Sequence, residues 1–178
     1  MARQWTFGRR IALGFAVAVA LTVSIGMVAI FALRSVTASK DEVMRVEARL
    51  LVQAQGLRAF SERKSSAGRA FLLGRDDRFM SQILDARRGF SAILEQLERN
   101  VPTEEGAHLV GLIERAEAAH QQTMGQVIAL RRTEASLDAV ERAFEDQVIP
   151  RRDELDTQIG AFVSRMESRL EEARQASN

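Results

Sequence analysis

Two histidines are the first candidates for chemistry in this 178-residue chain, because an imidazole can bind a metal ion or move a proton near neutral pH. His108 and His120 lie on one predicted helix, 12 residues apart, which is too far for them to share a metal ion. His120 falls on an apolar stripe and is interpreted as a hydrogen-bonded core or edge histidine. His108 lies near a helix start and is interpreted as a solvated surface residue.

Pairs of adjacent carboxylates are the second candidates, since two neighbouring acids can divide acid–base work. They are Asp76-Asp77, Glu104-Glu105 and Glu171-Glu172. Adjacent residues on a helix do not face each other, so a shared catalytic site is disfavoured. Helix capping and compensation of the helix dipole are the favoured roles.

Arginine doublets are the third candidates, because they could bind an anionic ligand or a lipid headgroup. They are Arg87-Arg88, Arg131-Arg132 and Arg151-Arg152. Acidic residues such as Asp85, Glu134 and Asp153 alternate with them, which favours a solvated, salt-bridged face. No aromatic residues cluster with the doublets and the formal net charge is only +1, so no nucleic-acid partner is predicted.

Recognised catalytic motifs are absent from the sequence. It has no Gly-rich phosphate loop, no G-x-S-x-G elbow and no His-Glu-x-x-His pair. It also has no cysteine, which excludes thiolate metal sites, disulfides and a cysteine nucleophile. We therefore predict no catalytic residue, no cofactor and no metal site, and we do not expect an enzyme in this chain. The residues that would bind a ligand are not identified.

An uncharged run at residues 11–33 determines the predicted placement of the chain relative to the membrane; its sequence is IALGFAVAVALTVSIGMVAIFAL. As a helix it would be about 34 Å long, enough to cross a hydrocarbon core of about 30 Å. Arg3, Arg9 and Arg10 precede it, and the positive-inside bias then places residues 1–10 in the cytoplasm. The sequence thus predicts a single pass through the inner membrane, with the bilayer as a partner and the remainder outside the cytoplasm.

Two alternatives for this segment remain open. A signal peptide would be cleaved after Val36-Thr37-Ala38, although an apolar region of 23 residues is long for one. Gly8-Arg9-Arg10 is also similar to the start of a twin-arginine export signal. Anchoring of the cytoplasmic end of a membrane helix explains the arginine pair better.

Residues 34–178 have helical periodicity, because apolar residues recur at steps of three and four. The first two stripes are Val43, Val46, Leu50, Ala54, Leu57, Ala67 and Phe71, then Phe79, Ile83, Ala86, Phe90, Leu94 and Leu97. The third is Leu109, Ile113, Ala116, His120, Met124, Val127 and Leu130, and the fourth is Leu137, Val140, Phe144, Val148, Leu155, Ile159, Phe162, Met166 and Leu170. Pro150 should bend or divide the fourth segment.

Breaks between the stripes predict where the helices end. Gly74 is typical of a left-handed helix C-terminus, and an aspartate after it suits the next N-cap. A hairpin there would turn both Phe71 and Phe79 toward the interior, whereas the alternative is one uninterrupted helix over residues 41–99. The next turn falls at residues 100–103, with acidic residues starting the third helix.

One-sided stripes are not stable alone in water, and packing four of them together buries them all. The predicted fold class is all-α, with one N-terminal transmembrane helix continuing into an extracytoplasmic antiparallel four-helix bundle. The predicted domains are a basic tip at 1–10, a membrane helix at 11–33 and a sensor-type bundle at 34–178.

The segment Arg69–Phe79, RAFLLGRDDRF, is similar to the R-G-Y-L-L-T-G-D-x-x-F signature of CHASE3 domains, the four-helix extracellular sensor modules of bacterial receptors. Phe71 stands where the signature has tyrosine, and no threonine separates Leu73 from Gly74. Ser65 and Ser66 occupy the region where an acidic residue is expected. The basic tip and the IALGFA start of the apolar run also resemble the front end of such receptors.

The resemblance implies a membrane-anchored sensory module, expected to be the N-terminal part of a sensor histidine kinase, with a kinase domain following in a longer protein. Alternatives are the sensor region of a methyl-accepting chemotaxis protein, or an exported helical binding or scaffold protein without a signalling role. In such receptors a stimulus displaces the first bundle helix against the last, and a homodimer carries the movement inward. The stimulus stays open between a small ligand, a periplasmic partner protein and the state of the membrane, because no residue cluster in the sequence points to one of them.

Overall fold

The computed structural model describes residues 7–133 and 136–175, with side chains described at residue 15, at 19–28 and from 44 onward. These residues contain helices and no β-strand, in agreement with the predicted all-α class. The elements are α1 (Phe7–Gly74), α2 (Asp77–Asn100), α3 (Glu104–Arg132), α4 (Leu137–Ala143), a π-helical turn (Phe144–Val148) and α5 (Ile149–Gln175).

The chain divides into two compact units, Met1–Val43 and Met44–Asn178. In the first unit the backbone is helical from Phe7, and the described apolar side chains such as Phe15 and Ile25 are exposed. No helix within the described part of the chain is long and apolar enough to qualify as a membrane span. Much of the predicted span falls on side chains outside the described set, so a membrane helix at 11–33 stays a prediction.

Helix starts in the second unit follow the side chains predicted for them. Asp76 is the N-cap of α2 and accepts a hydrogen bond from the backbone N–H of Arg78 over 2.9 Å. Thr103 caps α3 in the same way, directly before Glu104 and Glu105. The hairpin between α1 and α2 is therefore confirmed, and one uninterrupted helix over 41–99 is wrong.

The end of α1 differs from the prediction by one residue. Gly74 is the last helical residue and its φ is not positive, whereas Arg75 adopts the left-handed conformation with φ of 52°. The backbone N–H of Arg75 donates to the carbonyl of Phe71 over 2.8 Å, which closes the helix end. The Arg75 guanidinium also donates to the carbonyl of Arg131 over 3.0 Å. This bond offsets the conformational energy of a left-handed non-glycine residue, which is about 1–2 kcal/mol.

Side-chain contacts give the second unit an antiparallel, up-down-up-down order. Gln53 donates to Gln96 over 2.8 Å, and two turns on toward the hairpin Phe60 lies against Gly89, where an added Cβ would come within 2.4 Å of the ring. Numbers rise along α1 as they fall along α2, so these two helices are antiparallel. Short connections at Arg75–Asp76 and 101–103 require this arrangement.

The fourth segment is divided as predicted, and the interruption is the π-helical turn just before Pro150. The backbone N–H of Ile149 donates to Phe144, five residues back. Proline has no N–H to donate to the preceding turn. The π-helical turn just before Pro150 is one residue wider than an α-helical turn, and the chain stays helical on both sides of it. Val148 therefore remains buried and continues the apolar stripe.

The interior contains two apolar clusters. We call the first the base core, since it lies toward Met44, the α2–α3 turn and the end of α5. Its buried members are Leu50, Ala54, Leu57, Phe90, Leu94, Leu97, Val110, Ile113, Ala116, Leu155, Ile159, Phe162 and Met166. The second is the tip core, toward the α1–α2 and α3–α4 connections, with buried members Ala67, Phe71, Leu72, Ile83, Met124, Val127, Ile128, Val140 and Val148. Phe71 is fully buried in it, while Phe79 is only half-buried.

Candidate functional site

A layer of polar side chains lies between the base core and the tip core. We call it the polar layer, and its members are Ser61, Lys64, Ser65, Glu117 and His120. Each of them is at most 4% exposed, including the ammonium and the carboxylate side chains. Charged residues are almost never this deeply buried unless they are paired, so the layer is the most unusual feature of the bundle interior.

Helical periodicity places these residues in the interior. Along α1 the stripe passes from Leu57 to Ser61 and Lys64 in steps of four and three, then returns to apolar residues at Ala67. Along α3 it passes from Ile113 through Glu117 and His120 to Met124. Our prediction counted only His120 among them, because it followed apolar residues alone. The signal was the ten-residue gap in the first stripe, where polar residues occupy core positions.

Lys64 and Glu117 form a buried ion pair between α1 and α3. The Lys64 ammonium donates to both carboxylate oxygens of Glu117, and the amide of Gln121 donates to the same carboxylate. The ammonium also lies 5.3 Å from the centre of the Phe90 ring. Burial lowers the pKa of Lys64, and the attraction of Glu117 opposes that shift.

His120 lies beside this pair without taking part in it. The ring is fully buried, and neither Nδ1 nor Nε2 has a hydrogen-bond partner within the described structure. Its Nδ1 is 4.0 Å from Oε2 of Glu117. Burial, reinforced by the positive charges of Lys64 and Arg152, lowers the pKa of His120 from 6.5 to about 4. The core location matches our prediction, but the hydrogen bond expected for this histidine is absent.

Further polar atoms of the bundle interior lack a hydrogen-bond partner. The hydroxyls of Ser61 and Ser65 have no hydrogen-bond partner among the described residues, and neither does Nε of Arg152. Arg152 faces Asp156 on α5 with an N–O distance of 3.4 Å. Burial raises the pKa of Asp156, and Arg152 opposes that shift. Such a concentration of unsatisfied buried groups is costly, and costly groups commonly mark a functional site.

A second buried ion pair joins the first and last helices of the bundle at its base. Glu47 on α1 is 1% exposed, and Nε of Arg169 on α5 lies 2.7 Å from its Oε1. A third contact, between Arg165 on α5 and Glu105 on α3, has a distance of 2.8 Å at the more exposed rim. We call the Glu47–Arg169 pair the base link.

The predicted carboxylate pairs serve as caps and surface partners. Asp76 caps α2, and Glu105 pairs with Arg165. Glu172 lies 3.6 Å from Arg165, and Glu171 accepts a hydrogen bond from Gln175 within α5. His108 is exposed, as predicted. No group of three or more acidic or histidine side chains within the described residues could hold a metal ion.

The arginine doublets differ in their roles. Arg88 pairs with Asp85, and Arg151 with Glu154, on the solvated surface expected for them. Arg131 corrects the prediction, because it is buried and its Nε donates to the carbonyl of Leu72 over 2.7 Å. It thereby satisfies the C-terminal end of α1, which a helix leaves without internal partners. Sequence proximity of Arg131 to Glu134 did not indicate this role.

Residues 41–176 match the CHASE3 domain family. Among solved structures, the chain is similar to a protein described as a periplasmic sensor domain of a sensor histidine kinase, with 20% sequence identity and a TM-score of 0.68. The similarity covers 78% of this chain and 95% of that chain, and at this identity it shows a shared fold. No curated protein matches the sequence.

Proposed function

We infer the function from the premise that the chain belongs to the CHASE3 domain family. It is the extracytoplasmic sensory module of a bacterial signal-transducing receptor, the N-terminal part of a sensor histidine kinase. Two features support this role: the family match over residues 41–176, and the fold shared with a periplasmic sensor domain of a sensor histidine kinase. The module detects a stimulus and passes on a movement, and the chemistry belongs to an output domain elsewhere.

The proposed topology has residues 1–10 in the cytoplasm, 11–33 in the inner membrane and the bundle outside. The uncharged run of 23 residues and the three arginines before it support this arrangement. The lipid bilayer is then a permanent partner of residues 11–33. A homodimer is proposed as the signalling form, since paired bundles allow a relative displacement to be read across the membrane.

The base link is the single observation that carries the mechanism. It joins the helix that leads out of the proposed membrane segment to the helix that ends the bundle, through a carboxylate that is 1% exposed. A buried charge is stable only with its partner in place, so α1 and α5 have few alternative positions relative to each other while the pair is intact. A stimulus that displaces one of these helices must therefore displace the other or break the pair.

A fusion experiment tests the topology. Alkaline phosphatase, which is active only outside the cytoplasm, is fused after Asn178, and a cytoplasmic fluorescent reporter is fused at the same site in a parallel strain. We expect phosphatase activity from the first fusion and no fluorescence from the second. Fluorescence without phosphatase activity would reverse the topology and contradict the sensory role.

Signalling is tested by joining the chain, through a second membrane segment, to the kinase output of a characterised receptor. Arg169→Gln breaks the base link and should change the basal kinase activity severalfold. Arg174→Gln is the matched control, because Arg174 is exposed and its ion pair among the described residues, with Glu171 at 4.0 Å, lies within α5. Equal activities of both variants and the unmodified chimera would contradict transmission through the base link.

A further inference from the structure

The polar layer presents a basic group that is neutral in the folded protein and enclosed by charges. His120 has no exposed surface, and both ring nitrogens are unpartnered within the described structure. The charged groups that act on this layer, taken element by element, are Lys64 on α1, Arg87 on α2, Glu117 on α3, and Arg152 and Asp156 on α5. A charge on the ring would therefore act on ionised side chains of α1, α2, α3 and α5.

We propose that the polar layer is a proton-binding site, with His120 as the acceptor, and that acidification of the medium is a stimulus that this sensor detects. The structural part of the inference stands on the geometry of the layer, and its signalling consequence rests on the function proposed above. The ligand is a proton from solvent, so no covalent step and no second reactant are involved.

Protonation changes which groups can remain paired. The imidazolium has two N–H donors and is repelled by the cations of Lys64 and Arg152, so it requires an acceptor. Oε2 of Glu117, 4.0 Å from Nδ1, is the carboxylate oxygen on the same helix face. If Glu117 turns to the imidazolium, Lys64 loses the partner that compensates its buried charge. Water must then enter the layer, and the contact that holds α1 against α3 is loosened.

The direction of the effect follows from the two states of the ring. In the closed layer the pKa of His120 is about 4, whereas a hydrated histidine has its ordinary value of 6.5. Between pH 6.5 and pH 4 the hydrated arrangement therefore binds more protons than the closed one, and falling pH favours hydration. The ratio of hydrated to closed layer rises by up to about 300-fold across this window and changes no further below it.

The ring itself can be observed directly in the unmodified chain. The protein has only two histidines, so nitrogen NMR of the imidazoles in the full chain in detergent micelles has two sets of signals, and His108→Gln assigns them. We expect the His120 ring to stay neutral at pH 6.5 and to take up its proton between pH 6 and pH 4. A ring already protonated at pH 7, or still neutral at pH 3 in the folded protein, would overturn the proposal.

The movement is measured on the same chain. Since the sequence has no cysteine, Val52→Cys on α1 and Glu114→Cys on α3, both at exposed positions, allow clean spin labelling of the two helices whose contact is expected to loosen. We expect the distance distribution between the labels to change from pH 7 to pH 4 in the parent and in His108→Gln, and to stay constant in His120→Gln. A change that persists in His120→Gln would assign the response to other groups and refute the proposal.

A second variant covers the case in which His120→Gln does not fold. Lys64→Met removes the cation that opposes protonation of the ring, and it also releases Glu117. The proton should then bind at a higher pH, so the NMR midpoint of His120 should rise by one pH unit or more. An unchanged or lower midpoint would contradict the assignment. If these tests fail while the alkaline phosphatase fusion is active outside the cytoplasm, the protein is a sensor with another stimulus. If the phosphatase fusion is inactive, the sensory role itself is contradicted.

Discussion

The base core and the polar layer occupy equivalent positions on the same helices, yet they have opposite chemistry. In the base core, Leu57 and Ile113 are fully buried among leucine, isoleucine and phenylalanine side chains. One to two turns further toward the tip, Lys64 and Glu117 are buried almost as completely, and His120 is buried beside them without a hydrogen bond. The two regions are buried to a similar extent, and their side chains differ in chemistry.

This difference separates the roles of the two regions. Burying an apolar side chain stabilises the fold by about 1.5–3 kcal/mol, and this contribution does not depend on protonation. A buried ion pair gains little or nothing over an apolar pair of similar volume, but it depends on protons and on water. The base core therefore holds the bundle together, while the polar layer makes part of its stability responsive to the medium.

The largest effect is expected where an apolar cluster is emptied. Phe71→Ala in the tip core should lower the free energy of unfolding by about 3–5 kcal/mol, because the ring is 2% exposed and leaves a cavity. Phe79→Ala should cost clearly less, since that ring is only half-buried. Urea unfolding of the full chain in detergent, followed by circular dichroism, measures both. Equal losses would mean that burial does not distinguish the two sides of the hairpin.

A slightly smaller effect is expected from breaking the polar layer. Glu117→Gln leaves the Lys64 ammonium buried without a charged partner and should cost about 3 kcal/mol. The double variant Lys64→Met with Glu117→Leu converts the layer into apolar core. It should match the unmodified protein or exceed its stability by about 1–4 kcal/mol. A double variant no more stable than Glu117→Gln would show that the layer, like the base core, is needed for stability.

The smallest effect lies outside both regions, at the end of α1. Gly74 is helical and a Cβ added there would meet no atom within 4 Å, so Gly74→Ala should raise stability by about 0.5–1 kcal/mol. Gly89→Ala is the contrasting control, because its Cβ would collide with Phe60 and should cost about 1–3 kcal/mol. Thermal unfolding midpoints order the two variants. If Gly74→Ala lowered the stability, the left-handed conformation that the sequence predicted for Gly74 would be supported instead.

Local features of this protein could be predicted from its sequence. The helix boundaries at Asp76 and Glu104, the division before Pro150 and the apolar stripes depend on residues within a turn or two of each other. They are present in the structure, except that Leu137 of the fourth stripe is exposed and the side chain of Val43 lies outside the described residues. Even the polar layer left a local signal, the gap between Leu57 and Ala67. A stripe traced through apolar residues alone passes over such a signal.

Only the tertiary structure decided which partner each buried charge has. Lys64 pairs with Glu117 and Glu47 with Arg169, which are 53 and 122 residues apart in sequence. Arg75, rather than Gly74, takes the left-handed conformation, where its side chain reaches the carbonyl of Arg131 on another helix. Helical periodicity specifies which side chains turn inward, but the energy of a buried charge depends on the groups within a few ångströms. Those groups are contributed by other helices, and their identity is known only once the helices have packed.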